Sequence, residues 1–147
     1  MGLIHYVAVL VGFLFIFAGL LKLTPIELGN GFSQSEMKAM FKRYLSVLPV
    51  HHIFGVTITT TIYRSAVGFA ETVFGSMLAF GRTFWRVTGA FYLLILMIGA
   101  FLTHQKIGDP IAMASPPLFL GIVLLIILVN RRDLNTTYTR TVKTKSD

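Results

Sequence analysis

The sequence predicts an all-α membrane protein: a four transmembrane helix bundle with an amphipathic helix between spans one and two. Three observations predict it. The 147 residues are 54% apolar and only 13% charged, against about 25% charged in a soluble domain. Four segments are long and apolar enough to cross a bilayer, which takes about 20 residues, or fewer where the bilayer thins. Between the first two lies a stretch whose apolar residues recur at helical spacing, with basic residues on its other faces. The length suits one transmembrane domain, residues 1–132, followed by a basic tail, 133–147, expected to be flexible and cytosolic.

The first span, Leu3 to Leu21, carries no charge. It lacks a basic leader, and Lys22-Leu23-Thr24-Pro25 follows it rather than a small-residue cleavage site, so it reads as a retained helix and not a signal peptide. Asn30-Gly31 ends a turn. Ser33 then suits an N-cap and Glu36 the N3 position of a capping box. Met37, Met40, Phe41, Tyr44, Leu45 and Leu48 follow on one helical face, with Lys38, Lys42 and Arg43 elsewhere, up to Pro49. Such a helix either lies in the interface with its basic residues toward headgroups or packs its apolar face on the bundle. The β-branched run Val56 to Ile62 reads as an extended linker or a short strand leading to Arg64. The second span runs from Ser65 to Gly81, the third from Val87 to Gln105, and the fourth from Ile111 to Asn130, closed by Arg131-Arg132. In the last turn Gly108 permits a positive φ, Asp109 can cap the next helix and Pro110 suits its first position.

Four spans put both termini on one side. A cytosolic tail gathers Arg82, Arg86, Arg131, Arg132, Arg140, Lys143 and Lys145 there, seven basic residues against six on the other side: Lys22, Lys38, Lys42, Arg43, Arg64 and Lys106. Lys143 and Lys145, fifth and third from the end, resemble a cytosolic dilysine retrieval signal of endoplasmic-reticulum membrane proteins. Asn135-Thr136-Thr137 is a glycosylation sequon close to the membrane. The net charge of +7 serves orientation and headgroup contact, and no basic face with interleaved aromatics points to nucleic acid. The absence of cysteine removes thiol nucleophiles, thiolate metal sites and disulfide exchange. His51 and His52 are adjacent while His5 and His104 lie far off in sequence, with no metal-ligand spacing. No metal, cofactor or catalytic residue is expected.

Glu71 is the residue that most constrains the bundle. A charged carboxyl at mid-span costs about 2.5–3.5 kcal/mol on insertion scales, so it must be neutral or partnered. Arg64, seven residues earlier, stands two turns and about 10.5 Å away, too far for a direct bond. Lys22 and His104, each at the end of another span, are the candidate partners, and Arg64 and Lys22 can snorkel to one interface. Gly12 and Gly19 share a helix face, as do Gly68 and Gly75, so these glycines are expected to bring helices close or to receive a partner's transmembrane helix.

Several of these pieces together resemble the NACHO family, chaperones of nicotinic acetylcholine receptors, within the wider DoxX-like four-helix membrane proteins. Phe17-Ala18-Gly19-Leu20-Leu21-Lys22-Leu23-Thr24-Pro25 is similar to the family pattern aromatic-x-Gly-x-x-Lys-Leu-Thr-Pro. Ser35-Glu36-Met37-Lys38, Tyr44 to Pro49, Arg64, Gly68, Glu71, His104-Gln105 and Gly108-Asp109-Pro110 continue the likeness over nearly the whole chain except the tail. The short tail, the threonines from Thr57 to Thr61 and Pro116-Pro117 depart from the vertebrate pattern. The resemblance implies a non-enzymatic resident of the endoplasmic-reticulum membrane that promotes assembly and surface delivery of nicotinic receptor subunits. Lys22, Arg64, Glu71, His104, Gln105 and Asp109 are the residues expected to form a polar core that recognises clients or shapes the surface that does. Two other readings compete: a DoxX-like oxidoreductase subunit holding a quinone in a cleft near Glu71 and His104, and a proton-coupled transporter relying on Glu71.

Overall fold

The computed structural model describes residues 2–24, 34–48, 55, 58–132 and 134, and the regular secondary structure within them is all helix. Five helices follow one another: α1 (Leu3–Leu23), α2 (Gln34–Val47), α3 (Thr60–Phe80), α4 (Thr83–Ile107) and α5 (Ile111–Val129). Three of them, α1, α4 and α5, are long and apolar enough to cross a membrane. The 21-residue α3 matches α1 in length but carries Arg64 and Glu71, both buried.

Each helix boundary has a local cause. α1 is apolar up to Lys22, and the Thr24 hydroxyl donates to Leu20 O at 2.7 Å just past its end. In α2, Met37, Phe41 and Leu45 recur every fourth residue and are buried, while Lys38, Lys42 and Arg43 are exposed. The buried face packs on α3 and α4, so the amphipathic helix uses that face to cover the bundle. Ser33 and Pro49, expected to bound it, lie outside the described residues.

The expected linker or strand before Arg64 is in part helix. α3 begins at Thr60, five residues earlier than Ser65, because Thr59 caps it: its hydroxyl oxygen accepts Ile62 N–H at 3.3 Å. One satisfied terminal N–H outweighs the modest strand preference of Thr60, Thr61 and Ile62. α4 likewise begins at Thr83 rather than Val87. Arg86, assigned from sequence to the loop between spans, is therefore inside the helix and 8% exposed. Its guanidinium donates to Gly81 O (2.8 Å) and Ala79 O (3.0 Å) and meets His5 Nδ1 at 2.5 Å. It satisfies carbonyls that the end of α3 leaves open.

α4 ends on Gly108 at φ +74°, with Gly108 N–H donating to Gln105 O and Asp109 N–H to His104 O. The next residues correct the sequence reading by one place. Pro110 is the N-cap of α5, no side chain caps that helix, and Asp109 is engaged elsewhere. Pro116 and Pro117 lie inside α5. Pro116 cannot donate to Ala112 O, and the Ser115 hydroxyl takes that carbonyl at 3.0 Å.

Glycine decides which helices approach most closely. A Cβ on Gly12 would stand 2.8 Å from Gly75 O, and one on Gly75 would stand 2.9 Å from Gly12 O. Gly19 and Gly68 face each other in the same way, a Cβ on Gly68 falling 2.9 Å from Gly19 O. The sequence placed two glycines on each of two faces; the fold presses those faces together as the α1–α3 seam. The core of Ala8, Phe15, Leu78, Leu93, Leu124 and Ile127 fills the bundle toward the start of α1. At the other end, where α2 sits, residues of α1 and α4 line a cavity.

Candidate polar site and cavity beneath helix α2

The cavity has a volume of about 710 Å³. α1 lines it from Leu14 to Lys22, α4 from Ile95 to His104, and Met37, Met40, Phe41 and Tyr44 of α2 cover it. Tyr63, Val67 and Glu71 of α3 and Pro116, Pro117 and Leu120 of α5 complete the wall. The lining is overwhelmingly apolar, with polar atoms gathered near Lys22, Glu71, Tyr44, Tyr63, Thr103 and His104.

Glu71 finds its partner in Lys22, not in His104. Lys22 Nζ donates to Glu71 Oε2 at 2.5 Å and lies 3.4 Å from Ala18 O. The close approach of Gly68 to the Lys22 stem makes this reach possible: a Cβ on Gly68 would stand 2.8 Å from Lys22 Cβ. The carboxylate side chain is 7% exposed and the lysine 20%. A pair this enclosed is held by geometry, since each charge left alone would be costly.

Arg64 does not snorkel beside Lys22. It is 8% exposed, and NH1 donates to Gln34 Oε1 at 2.6 Å, while Gln34 Nε2 donates to Thr24 O at 2.8 Å. This relay ties the end of α1 and the start of α2 to α3. Among the described residues Arg64 Nε is buried without a hydrogen-bond partner.

A second cluster fastens α2 to the α4–α5 turn. His104 Nδ1 donates to Asp109 Oδ2 at 2.8 Å, Arg43 NH2 donates to Asp109 Oδ1 at 2.9 Å, and the Tyr44 ring meets the His104 ring edge-on at 5.2 Å. The hydrogen bond from His104, joined by the charges of Arg43 and His104 against an opposing burial cost, holds the Asp109 carboxyl below the usual carboxylate range. Burial pushes the Tyr44 phenol up, and the negative charge of Asp109 adds to it. Gln105 is exposed and joins neither cluster through its side chain.

Of the residues singled out by sequence, the fold thus brings Lys22, Glu71 and His104 to one cavity. Arg64 and Asp109 act at its margins, and Gln105 stands apart. Sequence reasoning missed Gln34 and Arg43, the two α2 residues that meet Arg64 and Asp109, and the Arg86–His5 contact. Arg86 had a readable signal: a basic residue one turn into a helix can reach back to the open carbonyls of the helix before it. Among the described residues no group of three or more His, Asp or Glu side chains is placed to hold a metal ion. Lys143, Lys145 and Asn135 lie outside the described residues.

No family model matches the chain. Curated relatives do. The chain is 30% identical over 125 residues to the novel acetylcholine receptor chaperone of Mus musculus, covering 85% of this chain and 72% of the relative. It is 32% identical over 126 residues to the protein of the same name in Xenopus tropicalis, covering 85% and 75%. The chain belongs to this family. The Bos taurus member, 30% identical over 125 residues, aligns over 68% of its length. In this member of the novel acetylcholine receptor chaperone family, the Lys22–Glu71 pair and the Arg43–Asp109–His104 cluster flank one apolar cavity on the α2 side of the bundle.

Proposed function

We propose that this protein is a membrane chaperone of the endoplasmic reticulum that promotes folding, assembly and surface delivery of nicotinic acetylcholine receptor subunits. The observation that carries the reading is its likeness to acetylcholine receptor chaperones over 85% of its length. The apolar helices are consistent with a site of action in the bilayer. The polar core of Lys22, Arg64, Glu71, His104 and Asp109 shapes the surface that meets unassembled subunits, and no catalytic step is part of this role.

The same proposal makes α3 a span as well, the second in chain order. Glu71 is compensated by Lys22, and Arg64 sits near the α2 end of the helix, where Gln34 meets it. Four spans place both termini in the cytosol, with Lys143 and Lys145 as the retrieval signal. The wider DoxX-like grouping rests on the sequence resemblance.

Coexpression with a nicotinic subunit that reaches the surface poorly alone tests the reading. Surface toxin binding should rise; Glu71→Leu, which leaves Lys22 without any acceptor, should abolish the gain at equal abundance, and Glu71→Gln, which keeps an acceptor but removes the charge, should reduce it less. No gain across several subunits of the same organism rejects the receptor assignment. One feature favours the quinone-binding alternative enough to examine it: Lys22, Glu71 and His104 share an apolar cavity. Extraction and redox titration of the pure protein would reveal a bound quinone.

A further inference from the structure

The cavity beneath α2 has an occupant chemistry written into its walls. Its volume of about 710 Å³ falls within the roughly 300–1,000 Å³ of sites that hold a compact small molecule. α2 lies over one end. The lips are exposed: Phe17 on α1, Gly99 on α4 and Pro116 on α5. The cavity therefore opens sideways, toward whatever surrounds the apolar helices, rather than only toward water.

Two further features narrow the ligand. The Lys22–Glu71 pair on the wall is already balanced, so a charged head would add an uncompensated charge to an apolar site. The pair also sets an amine donor beside a carboxylate acceptor, which a hydroxyl satisfies in both directions and a carbonyl in only one. Gly99 contributes room: apart from its own stretch of α4, no atom of the described residues stands within 4 Å of where its Cβ would be. We propose that this cavity is a binding site for a compact, uncharged lipid with a single hydroxyl head, of the sterol class, entering from the bilayer with its hydroxyl at the Lys22–Glu71 pair.

The site is tested by binding alone, with a readout that does not depend on client recognition. The full-length protein in phosphatidylcholine nanodiscs is irradiated with a photoreactive, clickable sterol, and adducts are mapped by peptide. The expected result is labelling of α1 and α4 peptides that line the cavity, competed by excess unlabelled sterol. Labelling should be lost in Gly99→Phe and in Ala18→Phe, which fill the cavity from opposite walls, and kept in Ile98→Phe, on the exposed neighbouring face. Unchanged helical content and melting in the two filling variants separates a blocked site from a misfolded one. Adducts spread over exposed positions such as Leu10 and Phe119, or labelling insensitive to both filling variants, would overturn the site. Labelling by a photoreactive diacylglycerol and not the sterol would overturn the ligand class, as would copurified quinone that blocks the sterol probe.

Discussion

Lys22 and Glu71 show how little a single residue settles alone. Lys22→Met would leave the carboxylate enclosed without a cation, and losing one member of a buried pair costs about 3–5 kcal/mol. Lys22→Met combined with Glu71→Leu removes both charges and should restore most of the lost stability. Thermal unfolding in mild detergent checks the pair: a double variant as unstable as the single one would mean the ion pair is not the reason for the loss. Asp109 gives a different, pH-dependent prediction. Its folded pKa is lowered, so its contribution to holding α2 is complete above the ordinary aspartate value of about 3.9 and is lost as pH falls through the lower folded value. Amide exchange of α2, taken relative to the intrinsic rate at each pH, should therefore stay slow at neutral pH and rise sharply in acid. In Asp109→Asn it should already be faster at pH 7 and lose most of that acid step. Exchange in the variant identical to the parent at both pH values would show that Arg43 and His104 do not fasten α2.

At the scale of the element, the glycine seam makes a sharp contrast. Gly75→Leu would drive a Cβ to 2.9 Å from Gly12 O and 3.0 Å from Ile16 N, and backbone atoms yield poorly. An overpacking loss of about 1–3 kcal/mol follows. Gly99→Ala, facing open space, should be neutral or stabilising by up to about 1 kcal/mol through lower chain entropy. Melting temperatures of the two variants should move in opposite directions or differ plainly; equal shifts would refute the seam. The same contrast explains what sequence made legible. The seven-residue glycine spacing and the Met37–Phe41–Leu45 stripe are local periodicities, and a helix expresses local periodicity directly. That Gly12 meets Gly75 while Gly99 meets nothing depends on helix register, which no window of sequence contains. The choice of Lys22 over His104 for Glu71 is of the same kind. The early start of α3 was hidden by its β-branched residues, whose strand preference one capping hydroxyl overrides. Asp109 reads as a cap because it precedes a helix; it serves instead as the acceptor for Arg43, 66 positions away in the chain.

Across the whole molecule, the two ends of the bundle differ in purpose. One end is filled by apolar side chains and closed by Arg86 against the last carbonyls of α3. The other is covered by α2 and holds the buried ion pair beside a cavity. On the four-span reading this asymmetry bears on how the chain is made. Glu71 is a poor passenger for hydrocarbon by itself, yet its amine partner sits on the helix synthesised first. As α3 emerges, α1 is already in place with Lys22 near its end, so entry of the carboxylate becomes coupled to capture by an earlier segment. A glycosylation acceptor engineered just beyond α3 would read this coupling during translation into microsomes. Full insertion in the parent and reduced insertion in Lys22→Met, recovered by adding Glu71→Leu, would make α1 the membrane's internal template for α3.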